Sequence, residues 1–184
     1  MARVNTIDYI TIASAGNAAD FGDLTVSRDS ASSCSSPVRG VFGGGDGASI
    51  FNTIDYITIA TTGNASDFGD LTVARRQGGG VSSSTRGVFM GGRDTNVIDY
   101  VTIATTGNAT DFGDMVFNQG DGAAASSKIK GVFAGGNNNQ DGDAVVNSIV
   151  SITIASAGNA TDFGDLTQTV RASAGCSNSH GGLS

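Results

Sequence analysis

Three kinds of residue in this chain carry enough chemistry to suggest a site. They are four copies of Asp-Phe-Gly-Asp, beginning at Asp20, Asp67, Asp111 and Asp162, the cysteines Cys34 and Cys176, and a lone histidine, His180. Two carboxylates flanking a glycine can hold a magnesium ion against a phosphate. That chemistry also needs a glycine-rich phosphate loop and a His-Arg-Asp segment, and the sequence has neither. A motif present in every repeat is scaffold, because a catalytic centre requires symmetry to be broken at one place. His180 has no Ser/His/Asp set or zinc-ligand set to join. Cys34 and Cys176 each follow the second Asp of their motif by 11 residues, where the other copies carry Val81 and Ala125. Cys, Val, Ala and Cys at one position describe a small buried apolar site; free thiols are the expectation, with a disulfide between neighbouring blades as the alternative. No set of residues supplies nucleophile, base and orienting group together, so the expectation is a protein that is not an enzyme and uses no cofactor.

The elements that position these residues follow from the repeat. Near-copies of Asn-Thr-Ile-Asp-Tyr-Ile-Thr-Ile-Ala open at Asn5, Asn52 and Asn96, with a degraded copy at Asn147, at intervals of 47, 44 and 51 residues. Self-similarity at that period means one supersecondary unit stacked on itself. In the unit from Arg75 to Met115, four short β-prone pieces stand between turn signals: Gly78–Ser84, Thr85–Met90, Asn96–Ala104 and Asp111–Val116. Ile98 and Tyr100 point one way in the third piece and Val101 and Ile103 the other, so that strand is covered on both faces. Four antiparallel strands per unit, stacked face to face, make a β-propeller blade, and the chain reads as all-β.

At these residues the chain resembles the kelch family. The marks are an apolar strand ending in diglycine (Gly43-Gly44, Gly91-Gly92, Gly135-Gly136), a strand bearing Tyr9, Tyr56 or Tyr100, and an arginine after the fourth strand (Arg28, Arg75). Phe21, Phe68, Phe112 and Phe163 stand where kelch repeats carry Trp. The repeats are more specifically similar to those of bacteriophage virion and tail-associated proteins. That resemblance implies a binding or structural module located in a phage virion or in host cytoplasm. Its partner would be another protein or a host-surface glycan. An intracellular phage-encoded adaptor and a propeller-type hydrolase are the alternatives.

The sequence begins and ends in mid-repeat. His180–Ser184 aligns with Val38–Phe42, which predicts a four-bladed propeller closed by a shared blade of residues 1–27 and 172–184, with continuous blades at about 28–74, 75–118 and 119–171. A tight ring demands small innermost strands. Ser30–Ser36, Gly78–Ser84, Gly122–Ser127 and Ala172–Ser177 supply them, and a Gly/Ser linker is the other reading of these segments. Asp8, Asp55 and Asp99 interrupt the third strand, where Arg39, Arg86 or Lys130 on a neighbouring strand can pair with them. Length variation falls between the second and third strands, in the loops Gly45–Ser49, Arg93–Thr95 and Asn137–Asp143. Variable loops on a constant scaffold carry specificity, so Asp46, Arg93, Asp94, Asn137, Asn138, Asn139, Asp141 and Asp143 are the candidate binding residues. Asp141-Gly-Asp143 can offer oxygens to a hard cation such as calcium but lacks EF-hand spacing, and a solvated polar loop is the plainer reading. The net charge of −7 disfavours nucleic acid. No apolar run reaches membrane-spanning length, and the first residues lead straight into the repeat, so neither membrane insertion nor a secretion signal is expected.

Overall fold

The computed structural model describes residues 3–177. A hairpin of β1 (Thr6–Tyr9) and β2 (Ala19–Asp23) comes first. Three four-stranded antiparallel sheets follow, each running from an inner to an outer strand. The first is β3 (Ser32–Ser35), β4 (Arg39–Gly43), β5 (Thr53–Thr58) and β6 (Ser66–Asp70); the second is β7 (Gly79–Ser82), β8 (Arg86–Met90), β9 (Val97–Thr102) and β10 (Thr110–Asp114). A short strand β11 (Gln119–Gly120) precedes the third sheet. That sheet is β12 (Ala123–Ser126), β13 (Lys130–Ala134), β16 (Ser148–Thr153) and β17 (Thr161–Asp165). Its long connection adds β14 (Asn137–Asn138), a 3-10 turn at Asn139–Asp141 and β15 (Ala144–Val145), and β11, β14 and β15 form a small sheet of their own. The chain is thus all-β, built of propeller blades.

Two apolar cores lie between successive blades rather than within them. One joins Val41, Ile54, Phe68 and Leu71 of the β3–β6 blade to Phe89, Val101 and Ile103 of the next. The other joins Val88, Ile98, Phe112 and Met115 to Phe133, Val150, Ile152 and Ile154. Ile98 and Val101 therefore face opposite cores, as the alternation in β9 requires. Of the four Gly/Ser-rich segments, Ala172–Ser177 forms no strand; the other three form the innermost strands β3, β7 and β12 and are not linkers. Their composition follows from close approach, since a Cβ on Gly80 would sit 1.9 Å from the Ser33 carbonyl oxygen and one on Gly79 would strike the Phe133 ring at 2.4 Å. At the turn into each innermost segment a residue takes the left-handed conformation: Ser30, Gln77, Asp121 and Ala172 have φ of 54°, 60°, 59° and 54°. A chain of backbone bonds links them, with Gln77 donating to Ser30 O (2.9 Å), Asp121 to Gln77 O (2.9 Å) and Ala172 to Asp121 O (2.8 Å).

The Asp-Phe-Gly-Asp motif is the outermost strand itself, with a β-bulge in the hairpin of every blade. Its function is to join blades. The amide of Gly107 donates to Phe68 O (2.7 Å), that of Ala109 to Asp70 O (2.8 Å), and Asn108 Oδ1 accepts from Asp70 N (3.1 Å). The same three bonds tie Gly63, Asn64 and Ala65 to β2, and Gly158, Asn159 and Ala160 to β10. A Cβ on Gly69 would lie 2.6 Å from the Gly107 carbonyl, which is why the motif carries glycine there.

Several expectations need correction. The turn glycines of the first complete blade are Gly44 and Gly45, both at positive φ and matching Gly91-Gly92 and Gly135-Gly136, so the diglycine is one residue later than the sequence alignment placed it. Asp55 and Asp99 do not pair with Arg39 and Arg86. They pair with Arg28 (2.6 Å) and Arg75 (2.5 Å), fully buried. Register explains this: Asp55 lies opposite Phe42, whereas Arg39 lies opposite Thr58. Arg39 and Arg86 instead stack on Tyr56 and Tyr100 and reach across to the carbonyls of Ile103 and Ile154, each at 2.9 Å. Lys130 lies over Phe163. Each buried aspartate also accepts the hydroxyl of a threonine, Thr25 or Thr72, at 2.6 Å. Arg28 donates to three backbone carbonyls besides, and Arg75 to four. Burial pulls the Arg28 and Arg75 pKa values below the ordinary arginine value, and the facing aspartates oppose that pull.

Cys34 is buried and free, and burial pushes its thiol up to about 12. Cys176 is free but exposed, unlike its equivalents. Residues 172–177 run beside β12, where a Cβ on Gly175 would meet Ala124 O at 2.5 Å. His180 and the rest of the shared-blade segment 178–184 lie outside the described residues. Ring closure is not seen among those described.

Candidate functional site

The second-to-third-strand loops share a face with the connections that enter each innermost strand. Asp46 and Asp29 exchange backbone bonds at 2.8 and 2.9 Å. The Asp46 carboxylate takes Arg76 at 2.7 Å and Arg3 at 3.3 Å, and Arg3 also reaches Asp29 at 3.2 Å. The Arg76 hydrogen bond, with further attraction from both arginines, holds the Asp46 carboxyl below the usual carboxylate range. Arg76 continues to Asp94 at 3.4 Å. One blade further on, Arg93 pairs with Asp143 at 2.6 Å, and its backbone carbonyl accepts from the Asn139 side chain. Alternating charges thus run across the face from Arg3 to Asp143, spanning three blades.

The structure divides the candidate residues into two groups. Asp46, Arg93, Asp94 and Asp143 belong to this charge row, and exposed Asp141 lies beside it on the 3-10 turn. Asn137, Asn138 and Asn139 hold the loop in shape. Asn137 is buried in the small sheet opposite Gly120 and Val145, and Asn138 caps the 3-10 turn by accepting from Gln140 N at 3.0 Å. Asn139 N donates to Asn118 O (3.1 Å). Thr95, the last residue of the variable loop Arg93–Thr95, is buried and accepts from Val97 N. Among the described residues no group of three or more His, Cys, Asp or Glu is placed to hold a metal ion. Asp143 is directed at Arg93 instead.

Sequence reasoning missed Arg76, Arg3 and Asp29, which connect the loops. They carry no repeat signature, and only the fold brings them to Asp46. It also missed the buried clamps, although the repeats signalled them. Thr and Arg stand two and five residues after the motif's last Asp in Thr25/Arg28 and Thr72/Arg75, and their clamp partner in the next blade is Asp. In the last blade all three change together, to Val116, Gln119 and Val150. Gln119 then donates to Gly135 O at 2.6 Å, one of the carbonyl positions the arginines serve elsewhere.

Further cavities recur at the outer hairpins. One of about 360 Å³ is lined by Tyr56, Thr58, Thr61, Thr62 and Asn64, and one of about 350 Å³ by Tyr100, Thr102, Thr105, Thr106 and Asn108. They are equivalent sites in successive blades.

Neither a protein-family model nor a curated protein sequence matches the chain. Among solved structures it is similar to YjhT, a kelch-repeat β-propeller protein, with a TM-score of 0.70 at 8% identity. The match covers 84% of this chain but 57% of that one. At that identity the likeness is one of fold.

Proposed function

We propose that this protein is a binding scaffold without catalysis, a kelch-like module of a phage virion or tail that recognises another protein through its charged loop face. One observation carries the reading. Residues that differ from blade to blade, Asp46, Arg76, Arg93, Asp94 and Asp143, gather into one row on one face, while the joints beneath repeat almost unchanged. A rigid scaffold presenting variable polar residues is the arrangement of a recognition surface. Placement in a virion is supported by the resemblance of the repeats to phage proteins. The paired Tyr/Thr/Asn cavities favour a second reading, a host-surface glycan bound once per blade.

The test compares the parent with an Arg93→Glu/Asp94→Lys variant in pull-downs from purified virion components, with a glycan array beside it. Detection of the protein in virions and loss of the captured virion partner in the variant are the expected results. Unchanged capture places recognition elsewhere. Glycan binding abolished by Tyr56→Ala and Tyr100→Ala supports the second reading. Turnover of a substrate, lost on one side-chain change, overturns both.

A further inference from the structure

We propose that the two ends of this blade row are complementary halves of one joint and that a second copy of the chain docks there, head to tail. The row already makes the joint three times with the same bonds: a Gly-Asn-Ala turn on the Phe and Asp of the preceding outer strand. Among the described residues both halves stand unpaired at the ends of the row. At one end β17 presents Phe163 and Asp165, and none of the described residues lies within 4 Å of a Cβ built on Gly164. At the other, the β1–β2 hairpin presents the matching Gly16-Asn17-Ala18 turn, again with nothing near Gly16.

The apolar surfaces match as well. Phe68 and Phe112, inside joints, are each 3% exposed, whereas Phe163 is 56% exposed. Ile103 and Ile154 are each 1% exposed, whereas their equivalent Ile12 is 95% exposed. Arg39 and Arg86 cross the existing joints to the carbonyls of Ile103 and Ile154. By the same register Lys130 would reach the carbonyl of Ile12. The occupant fitted to β17 is therefore a β1–β2 hairpin of this sequence.

Within one chain the joint stands open among the described residues: the Gly16 turn does not meet β17, and Ile12 and Phe163 are left exposed. A second copy can supply the missing half. Two rows joined end to end would make two identical joints related by a two-fold axis and cover both open ends.

The experiment is light scattering of the 184-residue chain over a range of concentrations. Beside the parent stand Ile12→Asp, Phe163→Asp and a control, Val38→Asp, at an exposed residue on neither β17 nor the β1–β2 hairpin. The expected result is a two-copy mass for the parent and the control, and a one-copy mass with unchanged far-UV circular dichroism for the two joint variants. A parent that stays at one copy throughout overturns the proposal, as closure within one chain would produce. So does a two-copy mass that survives both joint substitutions, or one that Val38→Asp abolishes equally.

Discussion

Replacing Asp99 by Val alone should be among the most damaging single changes in the molecule. Asp99 accepts from Arg75 at 2.5 Å and from the Thr72 hydroxyl at 2.6 Å; Asp99 and Arg75 are closed to solvent, whereas Thr72 is exposed. Removing the carboxylate leaves a buried guanidinium without its counter-charge, at about 3–5 kcal/mol. Losing the acceptor for Thr72 adds little, because its exposed hydroxyl can turn to water. A domain with a total stability of about 5–15 kcal/mol would lose much of it. The last blade shows how the loss is avoided. With Val116, Gln119 and Val150 in place of Thr, Arg and Asp, the site needs no charge, and the glutamine keeps a carbonyl contact. The triple change Thr72→Val/Arg75→Gln/Asp99→Val should therefore lie within about 1–2 kcal/mol of the parent, because exchanging a whole buried pair for apolar groups is often neutral or stabilising. Urea unfolding followed by circular dichroism measures both variants. If the single variant unfolds at the same urea concentration as the triple one, Asp99 and Arg75 are not energetically coupled and the clamp argument fails.

The two thiols should differ in reactivity: a disulfide-exchange reagent at mildly alkaline pH should label Cys176 quickly and Cys34 only on unfolding, and equal rates would contradict the burial of Cys34. Because the folded Cys34 pKa lies near 12, above its unfolded value, its contribution is complete below about pH 8.5 and should fall by about 1.4 kcal/mol per pH unit above that. A Cys34→Val variant, copying Val81, should lose that alkaline slope. The depressed Asp46 carboxyl acts in the opposite sense. Its contribution is present above the unfolded value of about 3.9 and lost as pH falls through the lower folded value, so hydrogen exchange at the loop face should quicken in acid. Val81→Phe should cost about 1–3 kcal/mol by overpacking between blades, while Gln140→Phe on the exposed loop should be nearly silent.

The sequence by itself determined the repeat unit, its four strands and their two-sided burial. These are local facts, written in the period-2 alternation of Ile98 to Ile103 and in the turn glycines. It also marked the innermost strands, because Gly79, Gly80 and their neighbours are small for a steric reason that recurs in each blade. Tertiary structure alone decided which charges meet. Arg28 reaches Asp55 and Arg75 reaches Asp99 from the segment leading into each blade, and no strand-neighbour rule applied to Arg39 or Arg86 finds those pairs. The candidate face was only partly legible for the same reason. Loop length pointed to Asp46, Arg93 and Asp143, but Arg3 and Arg76 are brought to Asp46 from sequence-distant connections, and Asn137 is committed to backbone pairing inside a small sheet. Periodicity records which side of a strand a residue takes. The sum of many blade-to-blade rotations sets the curvature of the row, and no single repeat contains that sum.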